Sequence, residues 1–200
     1  MAWADIGALL NLAEEGREAL QTKNSYGVMV SVAQSKMPAF YDKGVCTLSN
    51  ALKPATLASY FVHEMVHALN DKGGWTSDPL TLDQDEYVLE MVSEELTATT
   101  RQYQFFVTLD VSGKLAALSP ADKPPRYDEY RSAYKVGVQR ASGTTTDQAK
   151  LHFAGIINAN RLLAIYVRDR GLGVGIFSYG EFYGRQWQKA RSAGGMSATP

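Results

Sequence analysis

The segment YFVHEMVHALND, residues 60–71, carries two imidazoles four residues apart with a carboxylate directly after the first. On a helix, residues four apart share a face, so His63 and His67 can point at one ion. Glu64 lies about 100° around the axis from His63. That offset sets its carboxylate beside a metal-bound water without making it a ligand. A catalytic zinc ion takes three protein ligands, keeps its fourth position for water and lowers the pKa of that water to about 7. A neighbouring carboxylate can then take the proton. These are the mechanics of an HExxH site. Two of the three histidines in the chain fall in this segment, which argues against two unrelated surface imidazoles. Val62, Met65, Val66 and Leu69 form an apolar stripe, with the histidines at its edge.

Such a site needs a third ligand. The remaining histidine, His152, sits in LHFAGIINANRLL and reads as a satisfied helix histidine. A better source is EMVSEELTATT, residues 90–100. On a helix, Val88, Met91, Val92, Leu96, Tyr103 and Phe106 cluster on one side, and Glu95 falls among them. A carboxylate on an apolar stripe is costly unless it is paired or bound to metal. Glu95 is therefore the expected third ligand, and its alternative role is a buried glutamate hydrogen-bonded to a tyrosine. Glu94 falls on the opposite side with Glu90, Thr97 and Arg101. It reads as a solvated neighbour and is the fallback ligand. Ala98 is small enough to let this helix approach the HEMVH helix closely. Cys46 reads as a small buried strand residue; near zinc it would instead be an inhibitory ligand.

The elements that must position these groups can be read along the chain. Residues 6–22 have helical spacing and 26–34 read as a strand. Asp42-Lys43-Gly44 marks a turn between two extended pieces, a hairpin over 39–50. The HEMVH helix is expected at about 56–71, capped by Thr56 and ended by Gly73-Gly74. Longer helical patterns cover 84–110, 127–140 and 147–169, with a connector at 112–126. Gly171, Gly173 and Gly175 interrupt the chain before IFSYGEFYGRQWQKAR. The expectation is one mostly helical α+β domain over 1–191 with a small N-terminal sheet, then a flexible tail at 192–200.

Bulk composition narrows the classes. The 200 residues are 45% hydrophobic and 20% charged, with a net charge of −1. No basic field exists to draw in nucleic acid. One cysteine permits no intramolecular disulfide and suits a reducing compartment. The N-terminus lacks a basic region and carries Asp5, so it reads as a helix rather than a signal peptide. No apolar run is long enough to span a membrane. The expected location is the cytoplasm of the producing cell, unless a route without a cleaved signal exports it.

His63-Glu64-Met65-Val66-His67 followed by Glu95-Leu96-Thr97-Ala98 resembles the gluzincin group of zinc metallopeptidases. Asn70 and Gly73 stand where the metzincin extension would need a glycine and then a histidine or aspartate. Together with EYVLEMVSEELTATTRQ and FYGRQW, the motif is similar to small metallopeptidase domains of bacterial polymorphic toxins and effectors. The resemblance implies a minimal zincin-like core, a Zn2+ cofactor bound by His63, His67 and Glu95, and Glu64 as the base. It also implies an edge strand for substrate, at Gly44–Ser49, and an oxyanion stabiliser. Tyr183 is the leading candidate for that stabiliser, beside Tyr179 and Arg185. Asp71, one turn after His67, could orient an imidazole. The activity implied is Glu-assisted hydrolysis of peptide bonds, with a protein or peptide as substrate and an immunity protein as partner if the chain is a toxin domain. The alternatives are a zinc amidase acting on cell wall or another non-peptide amide, and an inactive zinc-binding interaction module.

Overall fold

The computed structural model describes residues 3–115, 123–168, 173–174 and 177–193. The architecture is α+β and mostly helical. Helix α1 (Trp3–Leu10) and helix α2 (Glu14–Tyr26) replace the single helix expected over 6–22. Asn11 ends α1 by donating its side-chain N–H to the Gly7 carbonyl at 2.8 Å. Gly16 then lets α2 fold back, because a Cβ there would stand 2.1 Å from the Leu10 carbonyl oxygen. Since α2 runs on to Tyr26, the first strand begins later than the sequence suggested.

Strands β1 (Met29–Ala33), β2 (Ala39–Asp42) and β3 (Val45–Ser49) form a mixed sheet in the order β1-β3-β2. β1 runs parallel to β3, and β2 pairs with β3 as an antiparallel hairpin in the register Ala39↔Leu48 to Asp42↔Val45. The turn is Lys43-Gly44, both at positive φ (46° and 88°), as a two-residue hairpin loop requires. β3 is thus the central strand. The expectation that Gly44–Ser49 is an edge is corrected: in the hairpin β3 gains β2 on one side, while β1 closes the other. The free edge next to the helices is β2.

Helix α3 (Pro54–Gly73) packs on this sheet. Leu57, Ala58, Phe61, Val62 and Met65 meet Cys46 and Leu48 in the first core. Pro54 occupies the first turn, where its missing N–H costs nothing. Lys53, not Thr56, is the N-cap residue, and Thr56 is buried inside the helix. Helix α4 (Gln84–Val111) begins at Asp83, whose carboxylate accepts from the Glu86 N–H at 2.9 Å. It runs beside α3, and its later half joins α5 (Tyr127–Ser142) and α6 (Gln148–Arg168) in a second core built on Tyr103, Phe106, Tyr130 and Leu163.

A short antiparallel pair, β4 (Gly173–Val174) and β5 (Phe177–Ser178), leads into α7 (Tyr179–Ala193). This helix lies over the first half of α4. Tyr183 and Trp187 pack with Tyr87, and the Trp187 indole donates to the Leu82 carbonyl at 3.0 Å. Helix α7 reaches residue 193, so the first two residues of the expected tail are helical. The rest of that tail, 194–200, lies outside the described residues, as do Gly171 and Gly175 and part of the 112–126 connector. Among the described residues no helix is long and apolar enough to cross a membrane.

Candidate metal centre

Because α3 and α4 lie side by side, the faces carrying His63, His67 and Glu95 meet. Their ligating atoms all fall within 4.8 Å of one another. His63 Nε2 lies 3.1 Å from His67 Nε2. Glu95 Oε2 is 3.4 Å from His63 Nε2, and Glu95 Oε1 is 3.7 Å from His67 Nε2. Zinc bonds of about 2.0–2.1 Å in a tetrahedron would set ligand atoms about 3.3 Å apart. The observed separations bracket that edge. Two imidazole nitrogens aimed at each other also need a cation or a proton between them. Glu95 is 6% exposed, and its Oε2 has no hydrogen-bond partner. The donor set, the spacing and this orphaned oxygen all fit a metal ion.

The surroundings hold these ligands in place. His67 Nδ1 lies 2.5 Å from Glu94 Oε1, and the Glu94 side chain is only 10% exposed. The reading of Glu94 as solvated is therefore corrected. Helix α4 is flanked by α3 on one side and α7 on another, so past the first turn of its first half only the stripe of Leu89, Glu90, Ser93 and Thr97 is left to water and Glu94 falls outside it. Glu94 points at the far nitrogen of a candidate ligand histidine, the usual place for a carboxylate that fixes imidazole tautomer and orientation. Burial lowers the His67 pKa, but the Glu94 hydrogen bond and the charges of Glu95 and Glu64 outweigh it and raise it to about 9. For Glu95, burial works upward, yet His63, His67 and the Tyr183 hydrogen bond carry the pKa down to about 2. His63 Nδ1 has no such partner.

Glu64 is 7% exposed and lines the same cavity as the histidines. Burial pushes its carboxyl pKa up, opposed by both imidazoles and by a hydrogen bond from the Tyr41 backbone on β2. That contact follows from the ladder. Ser49 N–H donates to the Pro38 carbonyl at 2.9 Å. Alternation along the antiparallel pair then turns the main-chain groups of Ala39 and Tyr41 away from β3, toward α3. Between this edge and helices α3, α4 and α7 lies a cavity of about 810 Å³, which exposes His63, Glu64, His67 and Glu95 on its wall.

No family model matches this chain, and no curated protein or solved structure matches it either. The site is therefore read from its own geometry.

The remaining candidates separate cleanly. The Tyr183 hydroxyl donates to Glu95 Oε1. This is the tyrosine partner considered as the alternative for Glu95, found together with the ligand cluster. Tyr183 is 6% exposed and committed to that bond, so its position is that of a residue that orients Glu95 rather than a free oxyanion donor. Tyr179 stacks on it with ring centroids 6.3 Å apart and lines the cavity. Burial, followed by the charge of the Glu95 carboxylate and a hydrogen bond to it, pushes the Tyr179 pKa up. Arg185 is exposed, with its guanidinium 4.2 Å from the Phe177 ring centroid. Asp71 accepts from the Tyr41 hydroxyl at 2.6 Å, tying the C-terminal part of α3 to the β2 edge. Cys46 is buried in the sheet, and His152 bonds the Tyr134 hydroxyl at 2.8 Å. Neither joins the cluster. Sequence reasoning missed the Glu94–His67 pair, although the spacing of 27 residues against 28 for Glu95 hinted that both carboxylates approach the same turn of α3.

Proposed function

We propose that this chain is a zinc-dependent metalloendopeptidase that hydrolyses peptide bonds. The observation that carries the reading is the convergence of His63, His67 and Glu95 beside a buried Glu64, on the wall of a cleft whose opposite side is a free strand edge. Zinc, when bound, supplies a Lewis acid that polarises the scissile carbonyl and acidifies water. His63, His67 and Glu95 would hold it, with Glu94 and Tyr183 fixing His67 and Glu95. Glu64 is placed to accept the proton of the attacking water and to return it to the leaving amine; its raised pKa suits both roles. The outward main-chain groups of Ala39 and the Tyr41 carbonyl, the Tyr41 N–H being held by Glu64, can pair with an extended peptide, which brings affinity with little sequence preference. The Tyr179 hydroxyl is the donor we assign to the developing oxyanion.

The strand edge favours a peptide over a non-peptide amide, since an extended backbone is what such an edge recognises. On the resemblance of its motifs to toxin and effector peptidase domains alone, we extend the proposal to a protein substrate in a target cell, with an immunity protein as partner. The test is zinc content by elemental analysis together with cleavage of casein. The expected result is one zinc per chain and cleavage by the native protein, with zinc retained and cleavage lost in Glu64→Gln. A native protein without zinc, or a Glu64→Gln variant that cleaves normally, would overturn the reading. Release of peptidoglycan fragments without casein cleavage would favour the amidase.

A further inference from the structure

One to two turns beyond the candidate metal ligands, the same two helix faces carry polar groups that the hydrolytic chemistry does not use. Tyr60 precedes His63 by three residues on α3. Thr99 and Gln102 follow Glu95 by four and seven on α4. All line the cavity, as does Tyr103, whose hydroxyl is committed to the Pro125 carbonyl. Gln102 is 3% exposed, and its Nε2 has no hydrogen-bond partner. The Tyr60 hydroxyl is near enough for the Gln102 amide to oppose the upward push of burial on its pKa, yet Nε2 makes no properly directed bond to it. A buried amide donor left unmatched is uncommon, and its penalty vanishes when a ligand brings an acceptor.

Resting on the peptidase reading above, we propose that Tyr60, Thr99, Gln102 and Tyr103 form a specificity subsite for a neutral carboxamide side chain, glutamine or asparagine, on the residue flanking the scissile bond. The placement follows from dimensions. Tyr60 and Thr99 stand about one helical turn, roughly 5 Å, from the nearest ligand, and Gln102 about two turns, roughly 10.5 Å, a span that the Gln102 side chain and a long substrate side chain beside the held peptide group bridge together. The chemistry follows from the donors. With the Gln102 amide turned into the cavity from its buried position, a side-chain carbonyl accepts from Nε2, and the amide N–H of the same group can donate to the Tyr60 hydroxyl. The rings of Tyr60 and Tyr103 wall the slot. A carboxylate fits poorly because it would meet a neutral donor while facing the charge of Glu64, which already acts on the Tyr60 hydroxyl. The cations lining the cavity, Lys36 and Lys43, are exposed on the β2 side. An aliphatic side chain fits poorly because it leaves Gln102 unmatched. Sites built to hydrogen-bond a substrate group reject analogues lacking it more strongly than apolar pockets reject misfits.

Two measurements test this, one of them independent of catalysis. The ¹⁵N-labelled protein is titrated with N-acetyl-glutamine methylamide and with the corresponding glutamate and leucine compounds. The Gln102 side-chain amide signals are identified by their loss in Gln102→Leu. The expected result is that only the glutamine compound shifts them; no shift, or an equal shift with glutamate or leucine, overturns the proposal. In parallel, the zinc-loaded protein cleaves a peptide library read by mass spectrometry. Glutamine or asparagine beside the cut should be favoured about tenfold over leucine, and Gln102→Leu should collapse that preference to about twofold or less. Cleavage without an amide preference overturns the subsite and leaves the peptidase reading intact. No cleavage by the native protein, with the amide signals still shifting only for glutamine, overturns the peptidase reading and supports the subsite.

Discussion

Glu94 Oε1 stands 2.5 Å from His67 Nδ1, on the opposite side of the ring from the nitrogen that faces His63 and Glu95. The carboxylate thus dictates which nitrogen is free to bind metal. Replacing it with a carboxamide keeps the shape and removes the charge. Glu94→Gln should weaken zinc binding about 10- to 100-fold while leaving the fold intact. Competition with a zinc chelator checks this, and unchanged affinity would show that the contact has no orienting role.

The same pair predicts a proton release. In the metal-free protein the His67 pKa is raised to about 9, so the ring is protonated at pH 7, while Glu95 at about 2 is already ionised. Zinc binding at pH 7 should therefore release close to one proton from His67. Calorimetry in two buffers of different ionisation enthalpy measures it. The linkage has a definite sign. The pairing of His67 stabilises the metal-free fold fully below its unfolded value of 6.5, and this contribution is lost as pH rises through about 9. Denaturant melts of the metal-free protein should accordingly weaken across that window, and less so in Glu94→Gln.

Tyr183 and Tyr179 stack on one another but should fail differently. Tyr183→Phe removes the hydrogen bond to Glu95 and should lower zinc affinity, with kcat at saturating zinc changed by about tenfold or less. Tyr179→Phe should lower zinc affinity less than Tyr183→Phe does, and lower kcat by about 100-fold, the usual effect of losing one oxyanion donor. If both variants lose only metal, Tyr179 is not the oxyanion donor.

Cys46 offers a control on the sheet. Burial, together with the charge of Glu64, pushes its thiol pKa well up. It should stay protonated at neutral pH and resist a thiol reagent until the protein unfolds. Fast labelling of the native protein, with loss of zinc, would mean that the thiol reaches the site after all.

The local grammar of the chain was largely readable. The 3.6-residue period found α3 and α4, Lys43-Gly44 announced the hairpin, and an isolated carboxylate among apolar residues singled out Glu95. Partners were not readable where they came from far along the chain. Glu94 looked solvated because a helical wheel assumes one dry face, whereas α4 is covered by α3 and α7 together. Tyr183 was found as a residue but assigned an oxyanion role, since nothing local says that α7 folds back to bring its hydroxyl onto Glu95, 88 residues earlier. The edge strand was misplaced by one position in the sheet. Strand order depends on β1 closing against β3, a pairing that the hairpin signal does not contain.

The four-residue length of β2 bears on how the molecule behaves at high concentration. An unpaired edge invites a neighbouring copy to zip onto it and seed aggregation. Here only Ala39 and Tyr41 turn their main-chain groups outward, and the charged Asp42-Lys43 turn closes one end. Two copies would share too short a ladder to stay joined, whereas a peptide laid on the same edge would also meet the walls of the cleft.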